Sequence, residues 1–434
     1  MESYSALYQE KRMDADALAA KIQSGQHLFS DNSLACPKTI VDALARRAER
    51  GELTDVEMNT VLDVHELACY QPGMVGKLTG ISWFCGKSSR QGVNQGFGDV
   101  RSGYYRDFPR RVRETMEVDA FCAAVSPMDQ HGYFSTSTVA SISEAMIEKA
   151  QNIYLEVNEN LPRALSAPLI HISEVTALCE NHVPLVTLPN PVIDEKSERI
   201  GNLIAAEIPD GATIQLGIGA IPDAVGLALR DKKDLGIHSE LLTDSMIELI
   251  QCGAVTNKNK PINRGKTVAT FALGSQRIYD YIDNNPAMLL LPADYVNDPE
   301  VIATHPNFMS INSALEVDFF GQTAAESIGT YQISGTGGQA DYVRGAVQSP
   351  GGQSYIAFHA AAKDDTVSRI VPTLTSGAIV TTGKNDIDNI VTEYGIARLR
   401  GRTLSQRTKA LICVAHPKFR EELTFAAKKQ NILI

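Results

Sequence analysis

Hydrophobic and polar positions along this chain switch repeatedly between two periods. Apolar residues recur at helical spacing in Ala17-Leu-Ala-Ala-Lys-Ile22, so residues 1–30 read as helix. Ile142 to Ala150 predicts another helix. Asn152-Ile-Tyr-Leu-Glu-Val157 and Val183-Pro-Leu-Val-Thr-Leu188 predict strands. Short strands alternating with helices imply a parallel α/β sheet. The pattern breaks at Pro189-Asn-Pro191-Val-Ile-Asp-Glu-Lys-Ser-Glu198, where two prolines and a charged run predict a linker. A new α/β unit follows, with a helix from Glu198 to Ile208 and a strand from Thr213 to Leu216. The expected domains are therefore 1–190 and 191–434, the second carrying the candidate nucleophile described below. Between Gln71 and Gly103 the chain is rich in glycine, serine and asparagine and holds its only tryptophan, Trp83. That stretch reads either as a functional segment or as a mobile loop.

Length agrees with two domains, because 434 residues exceed one typical core. A hydrophobic fraction of 44% and a charged fraction of 21% are ordinary for a soluble globular protein. No apolar run reaches the roughly 18 residues needed to span a bilayer. The polar start, Met1-Glu-Ser-Tyr-Ser-Ala-Leu-Tyr-Gln-Glu-Lys-Arg12, lacks the apolar core of a signal peptide. A cytoplasmic location is expected. The seven cysteines are scattered and nowhere spaced as CxxC, which favours reduced buried thiols over disulfides or a zinc site. No metal ligands are assigned. A net charge of -11 disfavours nucleic acid and anionic membranes as partners. Any anionic ligand must then be held by local donors.

Several familiar motifs fail on spacing. Gly80 to Ser88 looks like a phosphate loop, but five residues separate Gly80 from Gly86-Lys87-Ser88 where four are required. Gly217-Ile-Gly219-Ala-Ile-Pro222 begins like a dinucleotide fingerprint, yet Pro222 occupies the third glycine position, which serves close helix–strand packing. There is no GxSxG elbow and no HExxH.

Three elements remain. Glycines after the strand Thr213 to Leu216 let a ligand approach bare backbone, and Pro222 suits a first helical turn whose free N–H groups favour anions. A plain βα turn explains the same residues. Glu240 follows in Leu235-Gly-Ile-His238-Ser239-Glu240. By spacing alone it reads as a solvated or capping residue, and His238 as structural. Asp244 is expected to cap a helix running from Ser245 to Ile250. Finally, Gln332-Ile-Ser334-Gly335-Thr336-Gly337-Gly338-Gln339-Ala340-Asp341 has more glycine than a turn needs, and its amides suit an oxyanion hole.

Together these segments resemble the acetyl-CoA hydrolase/transferase family, within the class I CoA-transferases. The carrying stretches are Gly217 to Ala224, Ile237 to Leu241, Asn297-Asp-Pro-Glu-Val301, Ile311 to Asp318, Ser334 to Asp341, Ser368 to Pro372 and Val391 to Ala397. Val125-Ser-Pro-Met-Asp-Gln-His-Gly132 is similar to the family's VSPPDEHG turn, with Met128 and Gln130 departing from it. Ala220 departs as well, where relatives often have glycine. The later segments look most like the 4-hydroxybutyrate and butyryl-CoA:acetate branch.

The resemblance implies two similar open α/β domains with mainly parallel sheets, in the NagB/RpiA-like arrangement, with the active site between them and commonly in homodimers. It implies that Glu240 forms a covalent thioester with coenzyme A. Asn297 then assists beside it, and the Gly338 backbone N–H faces the developing oxyanion. Gly217, Ile218, Gly219, Ala220, Ile221 and Leu315, with Gly338, line the coenzyme A site. Acyl-CoA is then a substrate, with no cofactor held permanently. Acetate, butyrate and 4-hydroxybutyrate all fit as acids. An acyl-CoA hydrolase using the same glutamate, and a non-catalytic ligand-sensing α/β module, are the competing readings.

Overall fold

The structure is a computed structural model that describes residues 2–189 and 191–433. The chain forms two compact units. One comprises Met1–Pro189 with Val268–Val296, the other Asn190–Thr267 with Asn297–Ile434. The single cut expected near residue 190 therefore omits a return of the chain to the first unit. Three contacts tie that return in place. Val139 pairs antiparallel with Phe271. The Leu188 N–H donates to Gly274 O at 2.9 Å, and Arg113 Nη1 lies 3.0 Å from Asp294 Oδ2. Periodicity along a sequence shows that a segment is a strand or helix, not which unit it joins. Asn190, at the expected boundary, lies outside the described residues.

The first unit is built on seven strands, all paired in parallel. Their order is Gly98–Val100, Leu78–Ser82, Val56–Thr60, His27–Ser30, Ala120–Val125, Asn152–Val157 and Ala177–Glu180. Leu28, Met58 and Leu78 pack one face of the sheet against Ile40 and Leu44 of the helix Lys38–Glu49. The glycine-rich stretch 71–103 supplies two of the strands and the helix Lys87–Asn94, and Trp83 is buried. Three of its glycines serve packing: a Cβ at Gly80, Gly92 or Gly98 would collide with Tyr70. The expected strand from Val183 to Leu188 has no regular structure, and both end residues are exposed. The strand lies earlier, at Ala177–Glu180. The N-terminal region splits into helices Glu2–Lys11 and Ala15–Ala19 before the strand His27–Ser30.

The second unit holds six strands in the order Gly236–Ile237, Thr213–Leu216, Phe308–Ser313, Gln353–Ala357, Asn389–Thr392 and Gly395–Arg398. All neighbours are parallel except the last pair. Val343, Ile356, Ile390 and Leu411 belong to one apolar cluster beside this sheet. The helix expected from Glu198 starts three residues earlier, as Glu195–Glu207, because the Asp194 side chain accepts the Ser197 N–H at 2.8 Å. It packs on the helix Ala220–Ala228, where Gly201 leaves no room for a Cβ against the Ala224 backbone. Thr213–Leu216 lies between Gly236–Ile237 on one side and Phe308–Ser313 on the other. Strand order reverses there, and the carboxyl ends of such strands are where open α/β sheets bind ligands.

Candidate active site

Two groups of residues meet at those carboxyl ends. The first begins where the strand Thr213–Leu216 stops. The Gly217 N–H donates to Ile311 O at 2.9 Å, so the turn stays joined to the neighbouring strand. Gly219 has φ 118° and ψ 176°, a region reserved for glycine. The helix Ala220–Ala228 starts immediately, with Pro222 and Asp223 in its first turn. Ile218 projects from the turn at 55% exposure, whereas Ala220 and Ile221 are partly covered. Leu315 follows the strand Phe308–Ser313, and its N–H donates to Ala324 O at 2.8 Å. Beneath this turn lies a polar web that the sequence reading missed. Gln215 Oε1 accepts from Ser310 Oγ at 2.9 Å and from Asn312 Nδ2 at 3.0 Å. All three residues are buried, so the web fixes the adjoining ends of two parallel strands.

The second group centres on Glu240, three residues past the strand Gly236–Ile237. Asn297 Nδ2 donates to Glu240 Oε2 at 2.5 Å. The Gly338 backbone N–H donates to the same carboxylate. Gly338 stands at the N-cap of the helix Gln339–Gln348, where free amides and the helix dipole favour negative charge. Its φ of −97° is open to any residue, so the glycine is required by space. A Cβ there would overlap both Glu240 Oε2 and Asn297 Nδ2. Asn297 is fully buried, and the Tyr342 hydroxyl donates to its Oδ1 at 3.3 Å. That bond turns the Asn297 amide so that its NH₂ faces the carboxylate. Tyr342 is a further residue that sequence reasoning missed. The available signal was its place one helical turn after Gly338.

The two groups are joined. Gln339 Nε2 donates to Ser313 O at 2.7 Å, which ties the start of the Gly338 helix to the strand beside the Gly217 turn.

Burial raises the Glu240 carboxyl from 4.5 to about 7, against the lowering effect of its bonds from Asn297 and Gly338. A carboxylate acts as a nucleophile only when ionised. The structure holds a carboxyl divided between its two protonation states near neutral pH. Glu240 still keeps some exposed surface, so a ligand can reach it. His238 is fully buried, its ring 4.9 Å from that of His305 and 6.2 Å from that of Phe308, as expected of a packed core residue. Asp244 is the first residue of the helix Asp244–Gln251, not its cap; Thr243 occupies that position. Among the described residues no group of three or more His, Cys, Asp or Glu side chains could hold a metal, and no helix is long and apolar enough to cross a membrane.

Glu240 is thus a carboxylate gripped by two N–H donors and tied, through Gln339 and Ser313, to the strand beside a glycine turn. The acetyl-CoA hydrolase/transferase N-terminal domain matches residues 1–189, and the C-terminal domain of the same family matches residues 274–427. The chain is 44% identical to the succinyl-CoA:cyclohexane-1-carboxylate CoA transferase of Geobacter metallireducens, over 99% of this chain and 98% of that one. It is 39% identical to the 4-hydroxybutyrate coenzyme A transferase of Clostridium kluyveri, over 98% and 99%. The crystal structure of RipA from Yersinia pestis superposes with a TM-score of 0.93 at 38% identity, covering 99% of this chain and all of that one. The chain belongs to the acetyl-CoA hydrolase/transferase family, and it is an enzyme.

Proposed function

We propose that this enzyme moves coenzyme A between small carboxylic acids through a thioester on Glu240. The observation that carries the reading is the grip of Asn297 and Gly338 on the Glu240 carboxylate, beside a glycine turn suited to an anionic ligand. In the reaction, ionised Glu240 attacks the acyl carbonyl of acyl-CoA. The carbon–sulfur bond breaks, giving a mixed anhydride and CoA thiolate. The thiolate attacks the glutamyl carbonyl, the first acid leaves as a carboxylate, and glutamyl-CoA remains. A second carboxylate runs these steps in reverse. One thioester is traded for another, with no net proton and no permanent cofactor.

When the thiolate adds to the glutamyl carbonyl, the negative oxygen develops on Glu240 itself, and we assign its stabilisation to the two donors now on the carboxylate. Gly217, Ile218, Gly219, Ala220, Ile221 and Leu315 are assigned to the coenzyme A side. Tight hold on that long, non-reacting part of the substrate supplies binding energy that can be used at the reacting carbonyl. The relatives named above transfer CoA to different acids, and the 4-hydroxybutyrate enzyme supports 4-hydroxybutyrate as one acid here, with acetate and butyrate assigned by the family resemblance. Hydrolysis is the second reading, favoured by the family's own description. It uses the same glutamate, with water as the second acceptor.

Initial rates against acetyl-CoA and an acceptor acid such as butyrate test the reading. Double-reciprocal plots should be parallel, and free CoA should not accumulate without acceptor. Intersecting lines would contradict the covalent route, and release of CoA without acceptor would favour the hydrolase. By family resemblance we further propose a cytoplasmic homodimer. Light scattering at the 47.1 kDa of a single chain would overturn the dimer.

A further inference from the structure

The strand Gly236–Ile237, which leads into Glu240, lies at the edge of its sheet. Its inward groups are paired: the Gly236 N–H donates to Ala212 O and the His238 N–H to Ile214 O. The N–H and C=O of Ile237 point the other way, where, among the described residues, no further strand of the sheet lies. Buried backbone groups left unpaired there would be costly.

Two side chains from residues 257–266 take the place of a strand. Asn257 Oδ1 accepts the Ile237 N–H at 2.8 Å. Lys260 Nζ donates to Ile237 O at 2.7 Å and to Lys266 O at 2.8 Å. Asn257 is itself held, with Nδ2 3.0 Å from Thr267 Oγ1 and its carbonyl accepting the Gly265 N–H at 3.0 Å. The Lys260 stem lies so close over Gly236 that a Cβ there would come 2.8 Å from Lys260 Cγ.

Lys260 is 2% exposed and, among the described residues, forms no ion pair with a carboxylate. A buried ammonium of this kind is expensive, and an apolar side chain of the same length would fill the space at lower cost. Burial pushes its amine down to about 7. Charged or neutral, the amine still has two hydrogens for the two carbonyls. Its contribution is therefore the pair of hydrogen bonds, not the charge.

We infer that Lys260 is a positioning residue for Glu240: with Asn257 it clamps both backbone groups of Ile237 and so fixes where the next three residues carry the carboxylate. This rests on the reading of Glu240 as the nucleophile. A carboxyl that must meet a carbonyl carbon and two N–H donors at once tolerates little displacement. A shift of about 1 Å can cost on the order of 10²-fold in rate.

The test uses the full chain and acetyl-CoA. In Lys260→Met, which keeps the length and removes the donors, the rate constant for thioester formation on Glu240 and kcat should both fall roughly ten- to hundred-fold. The KM for acetyl-CoA and the final labelled fraction should stay at their wild-type values. Lys260→Gln should recover part of the rate. Where Lys260→Met does not fold, Asn257→Gly serves instead, because Asn257 sits at φ 55° and glycine accepts that backbone. It should show the same split. Labelling at the wild-type rate, or a loss of activity matched by a smaller labelled fraction, overturns the proposal. Glu240→Gln, run in parallel, separates the two ideas: CoA still attached to that variant would overturn the nucleophile reading itself.

Discussion

Asn297 Nδ2 stands 2.5 Å from Glu240 Oε2, although 57 residues separate the two in sequence. Hydrogen bonds to charged groups contribute about 1.5–3 kcal/mol. Asn297→Ala should therefore lower kcat/KM roughly ten- to hundred-fold. Tyr342→Phe leaves Asn297 in place but frees its amide to turn, so a smaller loss of about threefold to tenfold is expected. Steady-state kinetics on the two variants check the order. A larger loss from Tyr342→Phe would mean that Tyr342 acts directly.

The pH dependence follows from the raised Glu240 carboxyl. The nucleophile must be ionised, so kcat/KM should climb with pH through about 7. In Asn297→Ala the carboxylate loses a donor that lowers its pKa, and the rise should move to higher pH. An acid limb centred near 4.5, the ordinary value for glutamate, would contradict the buried environment.

Stability should show the same group with the opposite sign. A carboxyl whose folded pKa lies above its unfolded value is stabilising while protonated. That contribution is complete below 4.5 and is lost as the pH rises through about 7. At pH 8 the ionised carboxylate is a burden that Glu240→Gln removes. The variant should melt a few degrees above wild type at pH 8 and close to it at pH 4. Calorimetry at both values decides, and a lower melting point at pH 8 would refute the assignment.

Gly219 and Gly338 should fail in different ways. At Gly219 a Cβ meets nothing within 4 Å, but the backbone conformation excludes other residues. Gly219→Ala should cost about 1–3 kcal/mol in strain and appear mainly as a higher KM for acyl-CoA. At Gly338 the backbone is ordinary and the space is full. Gly338→Ala should displace Glu240 and Asn297 together and abolish turnover with little change in acyl-CoA affinity. Titration of each variant with CoA distinguishes the two patterns.

Much of this arrangement was legible in the sequence. The linker prolines, the strand Thr213–Leu216 and the alternation of short strands with helices indicated two α/β units, and the order of motifs indicated the family. Glu240 alone did not announce itself, because a glutamate after a short strand looks the same whether it faces water or a neighbouring helix start. Its partners lie 57 and 98 positions away, and only the parallel stacking of distant strands brings them together. The same limit hid Tyr342, the Gln215 web and Lys260. It also hid the return of residues 268–296 to the first unit. Around Trp83 the sequence left a functional segment and a mobile loop both open; in the structure Gly80 and Gly98 leave room for the Tyr70 ring.

The most direct test of the central claim is the intact mass of the enzyme after brief mixing with acetyl-CoA, followed by peptide mapping. The account predicts a gain of one coenzyme A per chain, located on the peptide containing residue 240, and no gain in Glu240→Gln. An unmodified wild-type chain that nevertheless turns over, or coenzyme A attached to any other peptide, would contradict it.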